Sequence, residues 1–301
     1  MSTKRIAIIG SSNTDMVVRS KTLPKPGETV LGGTFLMNAG GKGANQAVAA
    51  ARLGGHVTLV AKVGNDIFGK QSVEGFKREN IDTGYVFVDD ETPSGIALIM
   101  VNEDGENSIV VAPGANGQLL PADIEQVKDI SAAEIILMQL EIPIETIEAV
   151  VRKAKQNKQK VIINPAPAQK LRDELLNGLF LITPNETEAK LLTGIKVEDE
   201  ITASRAAEIF LSKGVQNVII TLGKQGAYFQ SRDLRFKTDA PGVKAVDTTA
   251  AGDTFNGALV VAITEKMEWE QAVQFAVNAA SISVTRIGAQ ASVPYRKEIT
   301  N

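Results

Sequence analysis

The sequence predicts an α/β protein: a central, mostly parallel sheet flanked by helices, with a small antiparallel β lid. Two observations carry this. From residue 135, short apolar runs at 135–139, 160–164, 179–183 and 218–221 alternate with helical stretches at 144–156, 186–192 and 203–211, the rhythm of β-α-β units. Between 85 and 111, runs at 85–88, 95–101 and 107–111 are joined by turns such as Asp104-Gly105, with no helix between them, as in an antiparallel sheet.

In chain order, 5–10 (RIAIIG) is an apolar run ending in glycine, the pattern of a buried parallel strand. Ser11-Ser12-Asn13-Thr14-Asp15 follow, at the edge where open α/β sheets bind ligands. Asn13 and Asp15 there are either turn residues or partners for sugar hydroxyls. Runs at 16–18 and 29–33 are assigned to the lid with the three strands between 85 and 111, and such a lid serves chemistry that must exclude water. Residues 38–46 (NAGGKGANQ) read as a glycine-rich loop before a helix at 47–53 that Gly54-Gly55 ends. This is not a Walker A motif, because Gly43 stands where a Ser or Thr would follow the lysine. No G-x-G-x-x-G opens a helix directly after a strand, so a dinucleotide fingerprint fails too.

A strand at 57–63 and an amphipathic helix at 67–79 come next. In the second half, polar or glycine-rich residues again follow the strands: Gln139-Leu140-Glu141, Asn164-Pro165, Thr183 to Glu188, and Thr221 to Gly226. With 11–15 they make five strand ends, which points to one shared ligand crevice. A hairpin at 226–230 and 234–237, a helix at 269–285 and a small-residue loop at 286–292 complete the chain.

The stretch 247–257 (DTTAAGDTFNG) reads as a loop of small residues entering a helix. Small residues admit a ligand close to the backbone, and the free N–H groups of a helix start favour an anion. Asp253 at that start either caps the helix or takes a proton from a nucleophile beside the anion.

Composition narrows the chemistry. The 301 residues, 44% hydrophobic and 22% charged, suffice for one α/β domain spanning 1–301, with lid strands inserted at about 14–33 and 94–111. A net charge of −3 offers no basic surface for nucleic acid. No apolar run approaches a membrane span, and Met1-Ser2-Thr3-Lys4-Arg5 lead directly into a strand without a signal peptide, so a cytoplasmic protein is expected. The absence of cysteine excludes disulfides and thiol chemistry. The one histidine, His56, sits at a turn and would have to carry any Ser-His-Asp triad or zinc site alone, so a general base is expected to be a carboxylate.

At this point the chain resembles the ribokinase (PfkB-type) family of carbohydrate kinases. Gly40-Gly41-Lys42-Gly43-Ala44-Asn45-Gln46 is similar to the family's first signature and Asp247-Thr248-Thr249-Ala250-Ala251-Gly252-Asp253 to its second, while Pro184-Asn185-Glu186-Thr187-Glu188 resembles its N-x-x-E element. The fuller matches, among them NPAPA, TLGKQG and GAQASVP, point within the family to ribose as the sugar.

The resemblance implies a ribokinase-like fold and ATP-dependent phosphorylation of the 5-hydroxyl of D-ribose. It places Asn13, Thr14, Asp15, Gly41, Lys42, Gly43, Ala44, Asn45 and Glu141 at the sugar, Asp253 as the base, and the N–H groups of Ala250, Ala251 and Gly252 as the anion hole. It places Asn185, Thr221, Leu222, Gly223, Lys224, Gln225, Gly226, Gly252, Asp253 and Asn278 at ATP, with Val277 at the adenine-side position where relatives often carry Asn or His. Glu188, with Asn185, would organise Mg2+ through water, and an activating K+ or similar monovalent cation would lie among Asp247, Thr249, Ser283, Arg286, Gly288 and Ser292. The alternatives are a related kinase acting on deoxyribose, a ketohexose or a nucleoside, or a non-catalytic sugar- or nucleotide-binding regulator. A homodimer through the β lid is a further expectation.

Overall fold

The computed structural model describes residues 5–299; Met1–Lys4, read above as leading directly into the first strand, lie outside the described residues. Strands β1 (Arg5–Ile9), β2 (Asn13–Arg19) and β3 (Thr34–Gly40) precede helix α1 (Lys42–Arg52). Strand β4 (His56–Gly64), helix α2 (Ile67–Arg78) and strand β5 (Asp82–Asp89) form a β-α-β unit. Strands β6 (Gly95–Val101) and β7 (Asn107–Ala112) pair as a hairpin. Then come α3 (Pro121–Gln126), β8 (Ala133–Met138), α4 (Ile144–Gln156), β9 (Lys160–Ile163), α5 (Asp173–Leu176) and β10 (Leu181–Ile182). Helices α6 (Glu186–Thr193) and α7 (Glu200–Ser212), strand β11 (Asn217–Thr221) and the hairpin β12 (Ala227–Ser231) and β13 (Arg235–Thr238) follow. Helices α8 (Ala251–Thr264) and α9 (Trp269–Ser283) close the fold.

The large sheet runs β13-β12-β11-β10-β9-β8-β1-β4-β5 and is parallel except for the β12 and β13 edge. Its strands β1, β8, β9 and β11 are buried on both faces because helices cover both. Ile6, Ile8, Ile135 and Leu137 pack with α1, α8 and α9, whereas Ala7, Ile9, Ile136 and Met138 pack with Ile124, Ile147, Val150 and Phe210 of α3, α4 and α7. Complete burial of each such Ile or Leu contributes about 2 kcal/mol, which the alternation distributes over two cores. The separate small sheet runs β3-β2-β6-β7; its outer pairs are antiparallel and its central β2–β6 pair is parallel.

Four boundaries differ from the sequence reading. The run at 85–88 belongs to β5, which pairs parallel with β4 at the edge of the large sheet rather than joining the lid. Helix α2 supplies the crossover that a parallel pair needs. The first lid insertion reaches residue 40 rather than about 33: Gly32 and Gly33 have φ of 91° and 136°, incompatible with a strand, so pairing begins at Thr34. Helix α1 begins at Lys42, so Gly43 to Gln46 are helical rather than loop. Glycine at 43 suggested a loop, but its place is steric, since a Cβ there would lie 2.6 Å from the backbone of Gly10. Helix α8 likewise begins at Ala251, two residues before Asp253.

Candidate active site

Parallel strands end on the same edge, so β1, β8, β9, β10 and β11 deliver Ser11, Gln139, Asn164, Thr183 and Thr221 to one rim. Helices α1 and α8 start above that rim, and their beginnings differ. At α1 the first N–H groups are already engaged: Lys42 N donates to Glu141 Oε2 (3.0 Å), Gly43 N to Ser11 Oγ (3.4 Å) and Ala44 N to the Ser11 carbonyl (2.8 Å). Ser11 Oγ itself donates to Glu141 Oε2 at 2.5 Å. At α8 no side chain caps the helix, and Ala250 takes a left-handed φ of 58° that a residue with a Cβ adopts at a cost. Ala251 N makes a 3.2 Å bond to the Thr248 carbonyl, and nothing outside the helix's own backbone lies within 4 Å of where a Cβ on Gly252 would stand. The α8 start is therefore the rim's open anion position.

Asp253 is not a cap. Its side chain is buried, with Oδ2 accepting from Asn45 Nδ2 and Oδ1 from Gln46 Nε2, both at 2.9 Å. It borders a cavity of about 220 Å3 shared with Lys42, Asn185, Glu188 and the Thr248 to Gly252 turn. Burial pulls the Lys42 ammonium down, but Asp253, Glu141, Glu188 and Asp15 more than offset this and hold it above the ordinary lysine value. Burial, then Glu141 and Asp253, push the Asp15 carboxyl up to about 6 against the pull of Lys42. Burial also raises Glu188, opposed by the Asn185 N–H and by Lys42. Glu188 and Asn185 cap α6 reciprocally, with bonds of 2.8 and 2.9 Å.

Next to this cavity lies a cleft of about 540 Å3. The two share Asn185, Thr221, Thr248, Ala251 and Gly252, so the α8 start stands at their junction. Gly223, Lys224 and Gly226 form its polar side, and Phe255, Val277 and Val284 part of its apolar wall. Leu222 is buried in the core and Gln225 is exposed beside the cleft rather than lining it. Asn278 does not line it either; its Oδ1 accepts from Gln274 one turn back, while Val277 faces the cleft.

On the lid side, Asp15 and Asn38 face an open cleft of about 1010 Å3 whose far wall includes Asp247, Thr248, Thr249 and Gly288. Asn13 and Thr14 instead line a groove of about 430 Å3 towards α2, with Asn13 Oδ1 accepting from Asn116 Nδ2 at 2.8 Å. Ala44 belongs to the core, and Gly41 and Gly43 contribute backbone only.

The residues expected around a monovalent cation tie two loops together. Asp247 Oδ1 accepts from Thr249 N and Oδ2 from Gly288 N, each at 2.9 Å. Burial raises the Asp247 carboxyl, but the Thr249 side chain and the Gly288 and Thr249 N–H groups, aided by Arg19, prevail and leave it below the usual carboxylate range. Ser283 and Ser292 are buried with their hydroxyls on the Ala280 and Ala289 carbonyls, and Arg286 pairs with Glu298. Among the described residues, no cluster of three or more His, Cys, Asp or Glu side chains could hold a metal ion.

Sequence reasoning attached no role to Thr248, which borders the 220, 540 and 1010 Å3 spaces, or to the buried polar set Gln46, Asn164, Thr183 and Asn256. Thr248 and Gln46 lay inside the quoted signatures, and Asn164 and Thr183 at the strand ends, so the signal was present without a role attached.

The family model for pfkB family carbohydrate kinases matches residues 3–296. The chain is similar to the ribokinase of Haemophilus influenzae, at 45% identity over 98% of this chain and 97% of that protein. It is 38% identical to the deoxyribokinase of Salmonella typhi, over 96% of this chain and 95% of that one. Its fold superposes on the Arabidopsis thaliana ribokinase complexed with ribose and ATP, with a TM-score of 0.89, 34% identity, and coverage of 98% and 97%.

Proposed function

Since the chain belongs to the pfkB family of carbohydrate kinases, we propose that it transfers the γ-phosphoryl group of ATP to the 5-hydroxyl of D-ribose. The observation that carries this reading is Asp253, held at both oxygens beside the open start of α8. Asp253 accepts the proton of the attacking hydroxyl, while the N–H groups of Ala250, Ala251 and Gly252 and the α8 dipole stabilise charge on the transferring group. Phosphoryl transfer asks mainly for alignment and charge stabilisation, which a rigid helix start supplies.

ATP occupies the cleft between Thr221, Gly223, Gly226 and Val277, its phosphates reaching the junction at Gly252. Mg2+ would be held through water by Glu188 and Asn185 and would neutralise phosphate charge. Ribose lies against Asp15, Lys42, Asn45 and Glu141, with Asn13 and Thr14 supporting from the lid strand. A K+ ion would sit by Asp247 and the 286–292 loop, where Asp247 supplies the fixed negative charge.

The lid turns Val18, Phe35, Met37, Leu98, Met100 and Val110 outward, all at least 37% exposed, and a second copy's lid covers this apolar face in a homodimer. The enzyme is proposed to act in the cytoplasm; separately, no helix among the described residues is long and apolar enough to cross a membrane.

The similarity to the Salmonella typhi deoxyribokinase favours 2-deoxyribose as a second reading. Coupled measurement of ADP release over ribose, 2-deoxyribose, fructose and nucleosides, with and without K+, tests the proposal. Ribose should have the highest kcat/KM; a higher value for another sugar overturns the substrate assignment, and release with none overturns the enzymatic one.

A further inference from the structure

Beneath Asp253 lies a set of buried amides that the proposed reaction leaves without a role. Gln46 is fully buried on α1 and spends both amide hydrogens, one on Asp253 Oδ1 (2.9 Å) and one on Asn164 Oδ1 (3.0 Å). Its own Oε1 accepts from Gln139 Nε2 at 2.5 Å. Asn164 is oriented in turn by its Nδ2, which donates to the Thr183 carbonyl at 3.1 Å. Rotating the Gln46 amide by half a turn would set its oxygen against Asp253 and Asn164, and its NH2 against the NH2 of Gln139. One orientation is thus imposed on Gln46, with the donor towards the carboxylate. The backbone is fixed as well: α8 crosses α1 so closely that a Cβ on Gly257 would come within 2.8 Å of the Gln46 carbonyl.

We propose that Gln46 is a positioning residue for the base. With Asn45 on Oδ2 and Gln46 on Oδ1, the Asp253 carboxylate cannot rotate, and its remaining lone pairs stay towards the cavity holding Lys42 and the α8 start. Gln46 acts through Asp253 and reaches neither sugar nor nucleotide, so its removal misplaces the proton acceptor without weakening either substrate's binding. A misplacement of about 1 Å in such a geometry costs on the order of 10²-fold in rate. The proposal rests on the reading of Asp253 as the base.

The test is a double-mutant cycle in steady-state kinetics on the full chain, with folding followed by circular dichroism. Gln46→Met keeps length and removes the donor. It should lower kcat at least about tenfold with the KM for ribose and ATP within about threefold. In an Asp253→Asn background the same change should alter kcat less than about threefold, because there is no base left to position. Equal losses in both backgrounds, or a raised KM with unchanged kcat, overturn the proposal. Wild-type turnover by Asp253→Asn alone would instead sink the base assignment, and that is read from the single variant. Should Gln46→Met fold poorly, Gln46→Glu preserves the shape and donates to Asp253 only when the introduced carboxyl is protonated. Its kcat relative to wild type should rise as pH falls through the pKa of the introduced carboxyl, read by 13C NMR of the labelled variant; a ratio flat through that pKa contradicts the proposal.

Discussion

Asn45 on α1 and Asp253 on α8, 208 positions apart in the chain, meet through a 2.9 Å hydrogen bond between Nδ2 and Oδ2. Asn45 Oδ1 is buried without a protein partner, and a sugar hydroxyl would satisfy it. Asn45→Ala should therefore raise the KM for ribose about ten- to a hundredfold, corresponding to the ~1–3 kcal/mol of a lost buried hydrogen bond. The KM for ATP should stay within about threefold, as initial-rate measurements at saturating co-substrate would show.

The lid contributes a titrating group. Asp15 stands at about 6 in the folded protein, against 3.8 as its ordinary value, because of burial and then of Glu141 and Asp253. A raised carboxyl pKa contributes stability that is complete below the unfolded value and lost as pH rises through the folded one. Asp15→Asn should thus stabilise the sugar-free protein above pH 6, by on the order of 2 kcal/mol, with the gain vanishing towards pH 4. Urea unfolding at pH 7.5 and pH 4 checks this. The same variant should bind ribose more weakly, and the wild-type KM for ribose should rise as pH falls below 6.

Gly252 separates folding from catalysis. Nothing lies near the position of an added Cβ, so Gly252→Ala should be neutral or stabilising by up to about 1 kcal/mol in the first turn of α8. The methyl would occupy the space assigned to the transferring phosphoryl group, so kcat should drop at least about tenfold. Thermal unfolding and turnover measured on one preparation would show the two moving apart.

Asp247 joins the loop before α8 to the one after α9 through Thr249 N and Gly288 N. Asp247→Asn should abolish activation by K+, assayed against tetramethylammonium at constant ionic strength, and leave a basal rate near that of the wild type without K+. Undiminished activation would remove the cation from this position.

What the sequence disclosed follows from what physical pattern each element leaves in it. The strands β1, β8, β9 and β11 are buried on both faces and read as apolar runs, and Asp253 lay inside a long signature. Strand β5 was misassigned because its burial alternates like that of a lid strand, and its partner β4 lies across a helix. The start of α1 was hidden because Gly41 and Gly43, needed where the helix meets β1, look like loop residues locally. Gln46 and Asn164 were visible, one in a signature and one at a strand end, but carried no role because their partners come from strands and helices far apart in sequence. Which of Val277 and Asn278 reaches the cleft is set by the rotation of α9, which brings Val277 to it and leaves Asn278 beside Gln274.

Turnover of ribose and ATP by Asp253→Asn, with the product's phosphorylated position read by 13C and 31P NMR, tests the central claim most directly. Asparagine keeps the shape, so the fold and the KM for ATP should persist while kcat falls by about 10²- to 10⁴-fold, with wild type yielding phosphate only on the 5-oxygen. Wild-type turnover by the variant, or phosphate on another hydroxyl in the wild-type product, would contradict it.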